Sequence, residues 1–357
     1  MRSFARTSRL LDAAVGRGVF PGAVIVVVDE GEPRLGRACG RLAFQRPSVR
    51  TTTATVYDLS SLTKVLGTTT LTLLALERGR LDLDTPVATL VPGFRGRGKR
   101  SVRVWHLLTH SSGLPAYRPF FANGAGREAI VARAAAAPLE YGPGTRSIYS
   151  DLGFMVLGSI VERALGARLD ELFARLVARP LGLRLTRFVD LARAGARARF
   201  VRRHAVAPTG VRGGAPRHGA VDDDNAFAMG GIAGHAGLFG PAADVMTVAL
   251  AHCRSWHGGG PFPRELVRRF CAPAGIPEST RALGWDTPAG RGSQAGDRFP
   301  RDAVGHLGFT GCSLWLAPAR GLLVVLLTNR VNGTASLADI RRVRRAVHDA
   351  VLADLGG

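Results

Sequence analysis

Apolar positions along this 357-residue chain fall into runs of two periods. Residues 5–17 carry them at helical spacing. Pro21 and Gly22 then break the chain before the β-branched run AVIVVVDEG and a second strand-like piece, PRLGRACG, which together read as a hairpin. From residue 61 to about 79 a long apolar helix runs to the Arg/Gly stop ERGR. Helix and loop dominate residues 80–255. RVWHLLTH stops at the turn SSGLP, REAIVARAAAAP is helical, and YSDLGFMVLGSIVERAL and LDELFARLVARPLG make two consecutive helices. The polar stretch 204–226 reads as a loop, and PAADVMTVALAHCRSW closes the region as a helix. After a loop-rich segment, AVGHLGFT, CSLWLAP and GLLVVLLTN predict strands, and LADIRRVRRAVHDAVLADL predicts a last helix.

Strands at both ends with helices between them predict an α/β fold of the α+β kind. One antiparallel sheet is assembled from the two termini, because hairpin-connected strands lack the βαβ alternation of a parallel sheet. The expected division is a sheet part, residues 1–79 with 256–357, and an inserted mainly helical part, residues 80–255. A site would then lie in the cleft between them, with loops 204–226 and 275–300 on its rim.

Composition narrows the function classes. No stretch approaches the roughly eighteen uninterrupted apolar residues of a membrane span. The N-terminal residues show no continuous apolar leader, so the expected location is cytoplasmic. Cys39, Cys253, Cys271 and Cys312 lie far apart without metal-ligand spacing, which predicts free thiols and no metal site. No cofactor is expected. A net charge of +21 invites a nucleic-acid reading. The arginines, however, spread over the whole length without interleaved aromatics or a binding motif, so no specific nucleic-acid partner is expected. The densest groups, RRVRR at 341–345 and the stretch 201–219, read as a solvated helix face and a long loop.

The chain holds only two lysines. Lys99 sits in the basic loop RGRGKR; Lys64 sits in DLSSLTKVLG, at the opening of an apolar helix. Ser61 and Lys64, three apart, share one face of that helix. The helix start offers unpaired N–H groups for a developing oxyanion. A serine hydroxyl needs a neighbour to take its proton, and a desolvated lysine can supply or tune that neighbour. A plain helix start, with Ser60 as N-cap and Lys64 on the surface, is the alternative. Val65, Leu66, Leu71, Leu73, Leu74 and Leu76 make the helix look buried and favour the chemical reading.

Two further segments carry chemistry. PGTRSIYSDLGFMVLG places Tyr149, Ser150 and Asp151 where a loop enters a helix. Tyr149 is a candidate general base, provided its pKa falls by about three units from its ordinary value near 10, and Asp151 is a candidate to hold Lys64. GHLGFTGCSLWLAP sets His306 and Gly308 around a strand whose N–H at Phe309 is a candidate oxyanion donor beside that of Ser61.

In this order and spacing the segments resemble the serine β-lactamase and penicillin-binding protein superfamily, its class C β-lactamase, DD-carboxypeptidase and esterase branch above all. FPGAVIVVV, SLTK at 61–64, LLTHSSGLP, PGTRSIYSDLGF, GGIAGHAGLFGPAADV and GHLGFTGCSLW carry the resemblance over most of the chain. It implies that Ser61, not Ser60, is acylated, that Tyr149 is the tyrosine of Tyr-x-Asn, and that His306–Gly308 matches the Lys/His-Thr-Gly strand. Asp151 stands where the family has Asn, and Leu307 where it has Thr. Both changes disfavour the carboxylate of β-lactams and D-alanyl peptides. His110, in THSSG, and His235, in GHAG, read as structural, and Asp222–Asp224 as cleft rim rather than a cation site.

The expected activity is serine hydrolysis through an acyl-enzyme on a small-molecule or short-peptide ester or amide. The alternatives are an amidase or peptidase of cell-wall muropeptide fragments, a β-lactamase or DD-carboxypeptidase, acyl transfer to an acceptor other than water, and, from another class, a non-catalytic ligand sensor of the same fold. His306 is expected to add a hydrogen bond or charge beside the oxyanion.

Overall fold

The computed structural model describes residues 3–124, 126–288 and 292–356. Its main sheet has the order β2-β1-β10-β9-β8, antiparallel throughout, with β1 Gly22–Asp29, β2 Glu32–Gly40, β8 Val304–Leu307, β9 Ser313–Ala317 and β10 Leu322–Thr328. The first hairpin thus pairs directly with the last strand, in the register Val26↔Val325.

Burial on both faces explains why β1 and β10 read as continuous apolar runs. Val24, Val26 and Val28 of β1, with Leu323, Val325 and Leu327 of β10, enter one core under the helical part. The alternate residues Ala23, Ile25 and Val27, with Leu322, Val324 and Leu326, enter a second core. Helices Ala5–Gly16 and Leu337–Asp354 cover that second face and are tied end to end by Thr7, whose hydroxyl donates to Asp354 at 2.8 Å.

A small sheet, β3 Tyr57–Asp58, β7 Leu238–Gly240 and β4 Arg187–Phe188, joins the chain just before Ser61 to the middle of the molecule. The expected helix after Ser61 is present but not uniform. A π-helical turn, Lys64–Thr69, passes into the α-helix Thr70–Glu77. Among the described residues, no helix is long and apolar enough to cross a membrane.

Several expectations need correction. The loop 204–226 contains a hairpin, β5 Val211–Arg212 with β6 Ala215–Pro216, and runs into the short helix Asp224–Ala228. Helices Ala196–Arg203 and Arg264–Cys271 went unread. In the second, the buried Val267, Phe270 and Cys271 make a narrow stripe among arginines. Lys99 is not a loop cation in water: it is buried, donates to the Ala135 carbonyl, and lies 4.7 Å from the Phe94 ring centre. The run 341–345 is not wholly solvated either, because Arg344 is buried.

Candidate active site

Asp58, buried at the end of β3, sets the turn that presents the serines. Its carboxylate accepts from the Ser60 N–H at 2.8 Å and from the Asp222 N–H at 2.7 Å, and burial raises its pKa to about 7. Ser60 adopts φ +50°, uncommon for a residue with a Cβ. Its place is not that of an N-cap: its hydroxyl accepts from the Phe309 N–H at 3.0 Å. The π-helical turn beyond is pinned to the segment 234–238 by Thr63 and Thr68, through Leu238 N–H (3.1 Å) and the Gly234 carbonyl (2.7 Å).

Lys64 is fully buried, its ammonium at three acceptors: Ser61 Oγ (3.0 Å), Asp151 Oδ1 (2.7 Å) and the His235 carbonyl (3.0 Å). Burial alone would lower its pKa; Asp151 and Tyr149 outweigh burial and hold it above its ordinary value. Ser61 Oγ is the meeting point, since Tyr149 Oη also donates to it, at 2.8 Å.

Tyr149 is held by the loop 107–116. The His110 carbonyl accepts from the Ile148 N–H (3.0 Å), His110 Nδ1 from the Ser150 N–H (3.0 Å), and the Ala116 carbonyl from the Asp151 N–H (2.9 Å). His110 and Tyr149 have ring centres 4.6 Å apart. Ser150, not Asp151, caps helix Asp151–Leu165, accepting from the Gly153 N–H at 3.1 Å. Asp151 is thereby freed to face Lys64. The expected fall in the Tyr149 pKa does not occur. Burial raises it, Lys64 pulls it down and Asp151 pushes it up, for a net rise. The free site therefore holds a neutral phenol and a charged ammonium.

At the end of β8, Gly308 has no room for a side chain without crowding: a Cβ would lie 3.0 Å from the Leu59 carbonyl oxygen and 3.3 Å from Ser60 Cβ. That close approach brings the Phe309 N–H against the serine turn. His306 supplies no charge, because burial, with Lys64 and Arg281 nearby, depresses it well below its ordinary pKa. Its Nδ1 donates to the Leu307 carbonyl at 2.9 Å, which leaves Nε2 as an acceptor.

These groups open into a cleft of about 620 Å³. Asp222–Asp224 do line its rim. Their carboxylates are occupied: Asp222 by the Gly210 N–H, Asp223 by the Ala226 N–H and His235, and Asp224 by Arg217 and Arg212. Residues 289–291 of the expected rim loop 275–300 lie outside the described residues; Arg281, Asp286 and Gln294 line the cleft. Arg281, Arg341 and Arg344, which no local sequence pattern marks, add positive charge to the cleft wall. Asp151 is turned to Lys64, so it repels an anion less than its identity alone suggests.

A family model described as Beta-lactamase matches residues 7–349. The chain is 30% identical over 363 residues to an N-acetylmuramyl-L-alanine amidase of Bacillus subtilis (strain 168), covering 92% of this chain and 81% of that protein. Among solved structures it resembles EstCE1, a hydrolase with promiscuous acyltransferase activity, with TM-score 0.75, 22% identity and 97% of each chain covered. It also resembles a penicillin-binding protein homolog from Caulobacter crescentus, with TM-score 0.76, 19% identity, and 98% of this chain and 97% of the other covered.

Proposed function

This chain belongs to the β-lactamase family of serine hydrolases, and we propose that Ser61, Lys64 and Tyr149 form its acylation machinery. The supporting observation is that Ser61 Oγ lies 2.8 Å from Tyr149 Oη and 3.0 Å from Lys64 Nζ. Once the Tyr149/Lys64 pair has lost one proton, it accepts the Ser61 proton as Oγ attacks the carbonyl carbon. The tetrahedral oxyanion is met by the N–H groups of Ser61 and Phe309. In the free site Ser60 Oγ occupies the second of these donors and gives way to the oxyanion. Collapse expels the alcohol or amine, which takes the proton from the pair. Water, deprotonated by the same pair, then attacks the acyl carbon; the Ser61 Oγ–acyl bond breaks, Oγ takes the proton back from the pair, and the acid leaves.

The substrate we infer is an ester or amide with an apolar portion. Phe309, Leu337 and Tyr117 are 57%, 44% and 41% exposed, and all three line the cleft. Leu307 faces the same space where a carboxylate-binding hydroxyl would otherwise stand. Amide hydrolysis of muropeptide fragments is the second reading, favoured by the 30% identity to the Bacillus subtilis amidase. A cytoplasmic location belongs to the same proposal; it is supported by four buried cysteines without disulfides and is tested by cell fractionation.

Incubation with a fluorophosphonate or a chromogenic short-chain ester is expected to add one acyl or phosphonyl mass to the peptide containing Ser61. Ser61→Ala is expected to lose turnover by about 10⁴-fold or more. Full activity in that variant overturns the mechanism. With the ester, acylation of Ser61 without repeated product release would instead identify a ligand sensor.

A further inference from the structure

The Phe309 N–H, in the turn just past β8, is not held by that turn alone. Peptide planarity makes the Gly308 carbonyl and the Phe309 N–H two ends of one rigid unit, pointing in opposite directions. The N–H end faces the serine turn, donating to Ser60 Oγ at 3.0 Å. The carbonyl end accepts from Arg344 Nη2 at 2.6 Å. The same guanidinium donates to the Cys312 carbonyl (2.6 Å), the Gly311 carbonyl (3.2 Å) and Gln294 Oε1 (2.9 Å).

None of these four acceptors is a carboxylate, so among the described residues the buried Arg344 charge has no counter-ion hydrogen-bonded to it. Burial lowers its pKa to about 9, which leaves it charged at neutral pH. Linking the five-residue turn between β8 and β9 needs only donors, and a neutral amide could serve two of those carbonyls. A cation does more. Bonded to a carbonyl, it draws electron density through the amide and strengthens the N–H at the other end, as hydrogen bonds in series reinforce one another.

We propose that Arg344 is a positioning residue of the oxyanion site, acting through the Gly308–Phe309 peptide to aim and polarise the Phe309 N–H. The charge matters most when the tetrahedral oxyanion forms, because that is when negative charge appears at the far end of the peptide, in a setting of low dielectric. This role rests on the acyl-enzyme reading above.

The test compares wild type, Arg344→Met and Arg344→Lys on one ester and its thionoester, in which sulfur replaces the carbonyl oxygen. Sulfur is larger and a poorer acceptor, so the oxygen-to-sulfur rate ratio reports on the oxyanion donors rather than on folding. Arg344→Met is expected to lower kcat for the oxoester about ten-fold or more, within the range for a weakened oxyanion donor, with KM nearly unchanged and a reduced oxygen-to-sulfur ratio. Arg344→Lys is expected to restore part of both. Equal losses on the two esters, with the ratio unchanged, would reduce Arg344 to a tie for the turn and overturn the proposal. If Arg344→Met gives no folded protein by circular dichroism, the ratio in Arg344→Lys decides by the same criterion. Failure of wild type to turn over either ester or to label at Ser61 is a separate outcome, and it overturns the acyl-enzyme reading itself.

Discussion

At the residue scale, the contact of Asp151 with Lys64 sets how the site responds to pH. Both members of the proposed base pair sit above their ordinary pKa values, Lys64 because Asp151 and Tyr149 together outweigh burial and Tyr149 because burial outweighs Lys64. The form able to accept the Ser61 proton is therefore scarce at neutral pH and grows as pH rises. We expect kcat/KM on a stable ester to climb between pH 7 and 9, by at most about ten-fold per unit. The Asp151 carboxylate raises both groups, so Asp151→Asn is expected to move this climb to lower pH. A flat wild-type profile, or a climb displaced upward in the variant, contradicts the assignment. Ser61, Lys64 and Tyr149 were legible because their types and spacing are rare together. Ser60 and Arg344 were not: a serine in a turn and an arginine in a basic helix look ordinary until the chain folds β8 against both.

At the scale of elements, the helix Asp151–Leu165 is placed by close packing against the segment 230–237. A Cβ on Gly234 would lie 2.2 Å from the Phe154 carbonyl oxygen and 2.9 Å from Gly158 Cα. Gly234→Ala must separate that segment from the helix whose N-terminus carries Tyr149 and Asp151. Overpacking of this kind costs about 1–3 kcal/mol, or roughly 2–4 °C in Tm for a chain this long. Gly16→Ala, at the end of the first helix with nothing within 4 Å, is the control and is expected to leave Tm unchanged or slightly higher. Differential scanning calorimetry of the two variants decides; a silent Gly234→Ala would mean the segment yields freely. Long apolar runs revealed themselves in the sequence. Helices Ala196–Arg203 and Arg264–Cys271 did not, because arginine fills most of their exposed positions and hides a short buried stripe.

At the scale of the whole molecule, the charge of +21 belongs to arginines scattered over the surface, many of them paired with carboxylates. Unrelated DNA duplexes are therefore expected to shift in a gel at low ionic strength, without preference among sequences. The shift is expected to vanish by about 0.2 M salt, as counterion release dictates. Binding of one duplex that survives that salt would show a specific partner. The sequence by itself determined the antiparallel sheet and the helical middle, and it singled out Ser61, Lys64 and Tyr149 as the candidate residues. Strand period, helix period and the Ser-x-x-Lys spacing are local properties, and each is written in consecutive residues. Only the tertiary structure decided the protonation balance and the contacts that hold the Gly308–Phe309 peptide. Burial of Tyr149, the turn of Asp151 toward Lys64 and the reach of Arg344 to the Gly308 carbonyl join residues tens to more than eighty positions apart, and no local pattern encodes such distances.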